Sequence, residues 1–125
     1  MLGNKDVSAT IAVSDLAAAK KFYGTVLGLE VVENMEPGAL VYRSGSSQVL
    51  VYQSDFAGTN KATAATWTVG AALEDIVRSL RAKGVEFEHY DLPDTTRNGD
   101  VHMSGPMKMA WLKDPDGNIL ALVNQ

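Results

Sequence analysis

The order of the predicted elements occurs twice in the chain, and this repeat constrains the fold more than any other feature of the sequence. Alternating apolar residues predict strands, and apolar residues at helical spacing predict one helix in each half. The first half has a strand, a helix and three further strands, at residues 7–13, 15–27, 29–32, 40–43 and 48–53. The second half repeats this order at 64–69, 72–83, 85–89, 107–113 and 118–123. The sequence therefore predicts two β-α-β-β-β modules.

Residues typical of helix ends and turns separate the predicted elements. Ser14 stands at the N-cap position of the first helix, Asp15 adds charge to its first turn, and Gly28 follows its last apolar residue. Residues 114–117 read Asp-Pro-Asp-Gly and predict a tight turn, because proline fixes φ and glycine accepts a positive φ. The segment 91–106 is predicted to be a long loop, a length typical of lids and binding loops.

A single domain accommodates both modules, because the chain has only 125 residues, of which 46% are hydrophobic. Module one covers about residues 5–55, a polar connector covers 56–62, and module two covers 63–125. Neither module can bury both faces of its own sheet. We therefore expect an α+β fold in which the two paired modules form a curved mixed sheet around a concave cavity, with the helices outside.

The composition excludes several classes of function. The formal net charge is −4 and the basic residues are scattered, which argues against a nucleic-acid partner. No apolar run is long enough to span a membrane, and the first six residues lack the apolar run of a signal peptide. The absence of cysteine excludes thiolate-bound zinc and fits a reducing compartment, so we expect a soluble, cytoplasmic protein.

Four motifs carry a resemblance to a known family. They are Val-Ser-Asp-Leu at 13–16, Phe-Tyr at 22–23, Leu-Gly-Leu at 27–29 and Lys-Asp-Pro-Asp-Gly-Asn at 113–118. In this order and at this separation they resemble the vicinal oxygen chelate superfamily, which includes glyoxalase I, extradiol dioxygenases, methylmalonyl-CoA epimerase and bleomycin-resistance proteins. The resemblance covers nearly the whole chain and implies a fold of two paired modules.

The resemblance also implies where a metal site would lie. Enzymes of this superfamily typically hold a divalent metal with four His or Glu side chains on the first and last strands of each module. The corresponding positions in this chain are Ser8, Leu50, Ala64 and Ala121. A serine hydroxyl is a weak neutral donor, and the three alkyl groups have no lone pair. We therefore expect no metal ion and no cofactor.

Strand alternation predicts a cavity lining that is small, apolar and hydroxyl-bearing. The residues expected on the concave side are Ser8, Thr10, Ala12, Gln48, Leu50, Tyr52, Ala64, Thr66, Thr68, Ile119, Ala121 and Val123. Such a lining suits an apolar or aromatic ligand held by a few hydrogen bonds. The candidate ligand-binding residues are Ser8, Thr10, Gln48, Leu50, Tyr52, Ala64, Thr66, Trp111 and Ala121. Tyr52 is the first choice because its phenol can donate and accept. The alternative is that these side chains fill the interior of the sheet and leave no open cavity.

The remaining chemically active side chains have two interpretations each. His102 lies in the predicted loop and is interpreted as solvated, with acid-base chemistry at the pocket as the alternative. His89 is interpreted as an exposed edge residue rather than a ligand, and Glu88 as part of a solvated acidic edge. Trp67 is expected to pack under the helices, whereas Trp111 fits either the cavity or the core.

These observations favour a metal-independent protein that binds and sequesters a small apolar or aromatic compound. In this it resembles the drug-sequestering members of that superfamily. We also expect a homodimer. One alternative is a lyase, isomerase or dioxygenase-like enzyme of the same superfamily. Such an enzyme would use Tyr52 and His102 as acid and base, or a non-standard metal site that includes His102 and Glu88. The other alternative is a regulatory subunit without an open cavity.

Overall fold

The computed structural model, which describes residues 1–125, has the predicted α+β fold, with two strands more than predicted in the second half. The chain divides into two compact units, Met1–Thr59 and Asn60–Gln125. Ten strands form two mixed sheets, one with four strands and one with six. Neither of the two helices is long and apolar enough to cross a membrane.

The first unit is a four-stranded sheet with one helical segment. Its strands are β1 (Ala9–Val13), β2 (Glu30–Met35), β3 (Ala39–Ser44) and β4 (Ser47–Gln53), in the spatial order β1-β4-β3-β2. β1 and β4 are parallel, and the other pairs are antiparallel. The helical segment begins as α1 (Leu16–Ala19) and continues as a π-helix over Lys20–Val26. Together they cover the range predicted for the first helix.

One face of the first sheet is the core of this unit. Its fully or nearly fully buried strand residues are Ile11, Val13, Leu40, Tyr42, Val49 and Val51. The Tyr23 ring of the helical segment packs against the Tyr42 ring, with 6.2 Å between the ring centroids. This face agrees with the predicted alternation, because Ile11 and Val13 lie on the helix side of β1.

The cap of the first helix is one residue later than predicted. The Oδ1 atom of Asp15 accepts hydrogen bonds from the backbone N–H groups of Ala17 (2.9 Å) and Ala18 (3.4 Å), so Asp15 is the N-cap and Ser14 is not. Serine and aspartate both cap helices well. Asp15 is the cap here because its backbone is still extended, as an N-cap residue requires, and the helix begins after it. Gly28 ends the segment with φ +78°, a conformation that side chains disfavour.

The second unit is a six-stranded sheet with one α-helix. Its strands are β5 (Thr63–Thr68), β6 (Phe87–Glu88), β7 (Thr96–Asn98), β8 (Val101–Ser104), β9 (Met107–Lys113) and β10 (Ile119–Val123). The spatial order is β5-β10-β9-β8-β7, and β6 pairs with β9. β5 and β10 are parallel. A 3₁₀ turn over Gly70–Ala72 leads into α2 (Leu73–Ala82), as the helical stripe predicts.

The predicted long loop over residues 91–106 is wrong. This segment contains the antiparallel hairpin of β7 and β8, whose strands are joined at Gly99 and Asp100. These strands have only three and four residues, too few for a period of two to be recognised in the sequence. The consequence is that His102 lies on a strand of the sheet rather than in a solvated loop.

The last hairpin is closed by a buried pair of polar side chains. The Oδ1 atom of Asp114 accepts from the backbone N–H groups of Asn118 (2.8 Å) and Asp116 (3.0 Å). The Oδ2 atom accepts from Nδ2 of Asn118 at 2.8 Å, and both side chains are buried. Gly117 takes φ +89°, as the turn motif predicts. The motif therefore carries its own hydrogen-bond partners for the turn.

Replacing Asp114 with alanine is expected to lower the free energy of unfolding by about 3 kcal/mol, because buried N–H groups at Asn118 lose a charged acceptor. Asp114→Asn retains one oxygen acceptor and should cost less. Urea denaturation of the three proteins measures the difference. Equal stability of Asp114→Ala and the parent protein would contradict this account of the turn.

Candidate functional site

The second sheet presents a face on the side opposite its core. Leu120 and Leu122 of β10 are buried on the core face, and Ala121 between them points to the other face. Ala121 is in register with Thr66 on β5 and with Trp111 on β9, so these three side chains share that face. We call this face of β5, β10, β9 and β8 the Trp111 face. It holds three of the predicted ligand-binding residues.

The two tryptophans lie on opposite faces of this sheet. Trp67 is in register with Leu122, which belongs to the core face, and this agrees with the predicted packing under the helix. Trp111 is half-buried and in register with Ala121, so it lies on the Trp111 face. The sequence alone did not distinguish between the two faces for Trp111, and the strand register places it on the face opposite the core. Ala64 lies at the irregularity in the pairing of β5 with β10 and has no register partner.

His102 and Tyr90 complete an aromatic cluster around Trp111. His102 is in register with Met109 on β9, and its side chain is 1% exposed. The His102 and Trp111 rings meet edge to face at 4.9 Å, and Tyr90 meets Trp111 edge to face at 5.3 Å. The Tyr90 and His102 centroids are 6.2 Å apart. The interpretation of His102 as a solvated loop residue is therefore wrong.

Tyr90 is the residue that sequence reasoning missed. It follows strand β6 in an irregular segment, so no period assigns it to a face. Its only sequence signal is an aromatic side chain next to His89 at the end of a predicted strand. Its contacts with His102 and Trp111 are tertiary and join residues at least twelve positions apart.

One hydrogen bond fixes the His102 ring and its tautomer. The backbone N–H of Tyr90 donates to Nε2 of His102 at 3.0 Å. Nε2 must therefore be unprotonated, and in the neutral ring the proton resides on Nδ1. Nδ1 of His102 and the hydroxyl of Tyr90 are both buried without a hydrogen-bond partner. Two polar groups of the cluster are thus unsatisfied, which is uncommon in protein interiors.

The environment keeps His102 neutral near pH 7. Burial lowers the pKa of His102 below the usual 6.5, and the positive charges of Arg97 and His89 act in the same direction. The backbone carbonyls of Met109 and Asp100 oppose this effect without reversing it. Burial likewise raises the pKa of the Tyr90 hydroxyl, so this group stays protonated.

Asp100 links the segment of Tyr90 to the helix and the hairpin. Its Oδ1 atom lies 2.8 Å from Nε2 of His89, and its Oδ2 atom lies 3.3 Å from Nε of Arg81 on α2. His89 is exposed, as predicted, but its carboxylate neighbour is Asp100 in the turn between β7 and β8. Glu88 pairs with Lys113 at 3.3 Å instead of forming a free acidic edge. These pairs hold residues 88–89 against the sheet.

The first sheet has a corresponding open face, which we call the Tyr52 face. Thr10 is in register with Leu50, and Ala12 is in register with Tyr52. Tyr52 is 37% exposed, Thr10 is exposed and Leu50 is half-buried. Other members of the predicted set, Ser8 and Gln48, are exposed. Tyr52 belongs to the first unit and His102 to the second.

The residues at the expected metal positions do not fit a divalent cation. Ser8, Leu50, Ala64 and Ala121 offer one hydroxyl among four side chains. Register adds only the hydroxyls of Thr10, opposite Leu50, and Thr66, opposite Ala121. No group of three or more His, Asp or Glu side chains is close enough to hold a metal ion.

The non-standard metal site considered from the sequence fits no better. Glu88 is paired with Lys113, and Nε2 of His102 already accepts the Tyr90 N–H.

Comparisons with known proteins give one family. The family model described as the Glyoxalase/Bleomycin resistance protein/Dioxygenase superfamily matches residues 7–122. No curated protein matches the sequence. A glyoxalase family protein from Enterococcus faecalis is 24% identical, with a TM-score of 0.73, and the match covers 98% of this chain and 99% of that chain.

Two further solved structures have the same fold. Lactoylglutathione lyase from Agrobacterium tumefaciens is 17% identical, with a TM-score of 0.72, over 97% of this chain and 94% of that chain. A bleomycin-binding protein in complex with bleomycin is 17% identical, with a TM-score of 0.72, over 98% of this chain and 99% of that chain. At these identities the likeness is one of fold.

The free energy of unfolding is expected to fall as the pH falls below 6.5, the usual pKa of histidine, because unfolded His102 then binds a proton that the folded state resists. The loss ends below the lowered pKa of folded His102. Urea denaturation at a series of pH values measures this. His102→Gln keeps an acceptor without a titrating group and should lack this component. Identical pH dependence in both proteins would contradict the assignment.

Proposed function

The chain belongs to the Glyoxalase/Bleomycin resistance protein/Dioxygenase superfamily, and we propose that it binds a small apolar or aromatic molecule without a metal ion. The observation that carries this proposal is the Trp111 face. It combines a half-buried indole, the small side chains of Ala121 and Thr66, and buried polar groups on His102 and Tyr90 that lack partners. A lining of apolar and aromatic side chains with a few polar groups is typical of small-molecule sites.

Of the two small residues in register beside Trp111, Ala121 is buried and Thr66 is exposed, so we propose that a ligand ring lies against Trp111 and Thr66. A ring that buries about 200 Å² of apolar surface gains roughly 5 kcal/mol before the cost of association, and edge-to-face contact with the indole adds to this. The hydroxyl of Thr66 supplies a donor and an acceptor beside the ring. On this basis binding needs neither a metal nor a charged ligand.

The Tyr52 face supports the same proposal within the first unit. Thr10, Leu50 and Tyr52 lie on adjacent strands in or near register, and the helix packs on the opposite side of the sheet. The bleomycin-binding protein with the same fold binds bleomycin. We propose that each unit contributes ligand-binding residues of the predicted set on its own sheet. These are Ser8, Thr10, Gln48, Leu50 and Tyr52 in the first unit, and Ala64, Thr66, Trp111 and Ala121 in the second.

A metal-free lyase or isomerase is the second candidate. A buried imidazole that is neutral at pH 7 favours it, because such a ring is suited to proton transfer. However, Nε2 of His102 accepts the Tyr90 N–H and Nδ1 carries the proton, so the ring has no free lone pair. Binding therefore agrees better with the geometry than catalysis by His102.

The dye 1-anilinonaphthalene-8-sulfonate serves as an aromatic probe of this site. Trp111→Phe is expected to weaken its binding several-fold, about 1 kcal/mol, because the phenyl ring offers less contact area. Trp67→Phe is the matched control, since it makes the same change on the core face and should leave the affinity unchanged. Fluorescence titration of the dye measures both, and a chelator such as EDTA should have no effect. Equal affinity of both variants, or loss of binding with EDTA, would contradict the proposal.

A homodimer and a cytoplasmic location also belong to the proposal. The edge strand β2 exposes Val31, Val32 and Met35, and an apolar strand edge favours association with another chain.

Light scattering at micromolar concentration is expected to give twice the chain mass of 13.4 kDa. Replacing Val32 with lysine places a charge on the exposed edge and should shift the mass toward the monomer. A monomeric parent protein would contradict the proposed dimer.

A further inference from the structure

The Tyr90 segment between β6 and β7 has no regular structure, and one hydrogen bond, from the backbone N–H of Tyr90 to the His102 side chain, joins Tyr90 to the sheet. We propose that His102 is a positioning residue: its Nε2 holds the Tyr90 backbone so that the Tyr90 ring covers Trp111, and loss of this bond uncovers Trp111 for an aromatic ligand. This proposal rests on the proposed binding function. It assigns His102 control of access rather than a catalytic step.

The contacts of the cluster support this role. The three ring centroids are 4.9, 5.3 and 6.2 Å apart, so Tyr90 touches both other rings. His102 itself is almost fully buried. Because Nε2 makes the bond, the position of Tyr90 depends on the protonation state of one atom. A protonated Nε2 would present its own N–H to the Tyr90 N–H, and the bond could not form.

The covered arrangement leaves polar groups unsatisfied. The Tyr90 hydroxyl is buried without a partner, and so is Nδ1 of His102. When Tyr90 moves away, water or the oxygen atom of a ligand can reach both groups. The covered form is thus stabilised by ring packing and the Nε2 bond but is opposed by two unsatisfied donors. Because these opposing contributions partly cancel, the covered and uncovered forms can both be populated.

The charged groups around His102 do not stabilise its protonated form. Arg97 is its register partner on β7 and is the one arginine of the chain without a carboxylate partner. The His89 ring lies 6.4 Å away, and the carboxylate of Asp100 is already shared by His89 and Arg81.

Near Tyr90, the charge of Glu88 is matched by Lys113. A proton on His102 therefore adds repulsion while it removes the acceptor, and acid should uncover Trp111.

Uncovering should raise the affinity for an aromatic probe. If only a fraction of the molecules can bind, the apparent affinity is the intrinsic affinity multiplied by that fraction. If about one tenth of the molecules are uncovered at neutral pH, permanent uncovering strengthens dye binding about tenfold. The same change exposes Trp111 to solvent, which gives a readout that does not depend on any ligand.

The test uses Trp67→Phe as the background, because Trp111 is then the only tryptophan. The wavelength of Trp111 emission and its quenching by acrylamide are followed against pH, with and without 1-anilinonaphthalene-8-sulfonate. His102→Gln retains an oxygen acceptor for the Tyr90 N–H and should stay covered at every pH. His102→Phe keeps an aromatic ring without an acceptor and should be uncovered at every pH, with tighter dye binding.

Each outcome separates this proposal from the proposed function. Trp111 emission that is independent of pH, and equal in His102→Phe and the background, would overturn the positioning role even if the dye binds. Exposure of Trp111 without any change in dye affinity would overturn control of access. Exposure with no dye binding in any variant would contradict the proposed function and still support the positioning of Tyr90 by His102.

Amide hydrogen exchange provides a measurement that needs no variant. With about one tenth of the molecules uncovered, the protection factor of the Tyr90 amide in the parent protein should be about ten at neutral pH and should fall toward one as His102 protonates. An amide that is equally protected on both sides of the transition would overturn the proposal, whether or not the His102 variants fold.

Discussion

The parallel pairing of the first and last strands of each unit is the constraint on which the rest of the structure depends. β1 lies beside β4, and β5 lies beside β10, in parallel. Parallel neighbours cannot be joined by a tight turn, so the chain must cross the sheet between them. In both units the crossing contains the helix, which contacts one face of its sheet. The other face of each sheet carries a mixture of aromatic, small and polar side chains, and the candidate residues lie there.

The sequence predicts those parts of the fold that have a long, regular pattern. The alternation around Ile11 and Val13 and the apolar stripe of α2 are long enough for a period to be recognised, and the structure confirms both. The strands of the β7 and β8 hairpin have only three and four residues, so no period is visible. The choice between Ser14 and Asp15 as the N-cap depends on one backbone dihedral angle that side-chain type does not determine.

The site could be predicted only in part, for a related reason. Strand parity gives the face of Thr66 and Ala121 from the sequence, because the period of two extends along each strand. His102 is buried and contacts Tyr90, which reaches it through an irregular segment that has no recognisable period. A histidine without a neighbouring pattern looks solvated in sequence, and only the tertiary contact identifies it as part of an aromatic cluster. The resemblance to the superfamily gives the fold and the missing ligands, but it does not mark this cluster.

The buried Asp114 and Asn118 pair has an effect beyond the stability of its turn. The turn sets which residues of β9 and β10 stand opposite each other, and neighbouring positions on β9 point to opposite faces. A slip of one residue would move the indole of Trp111 into the space of Ala110 or Leu112 and bring an aliphatic side chain to the outer face. The two carboxylate oxygens of Asp114 therefore help to fix the register of β9 against β10. Through that register, a polar contact outside the aromatic cluster determines which side chains of β9 lie on the Trp111 face.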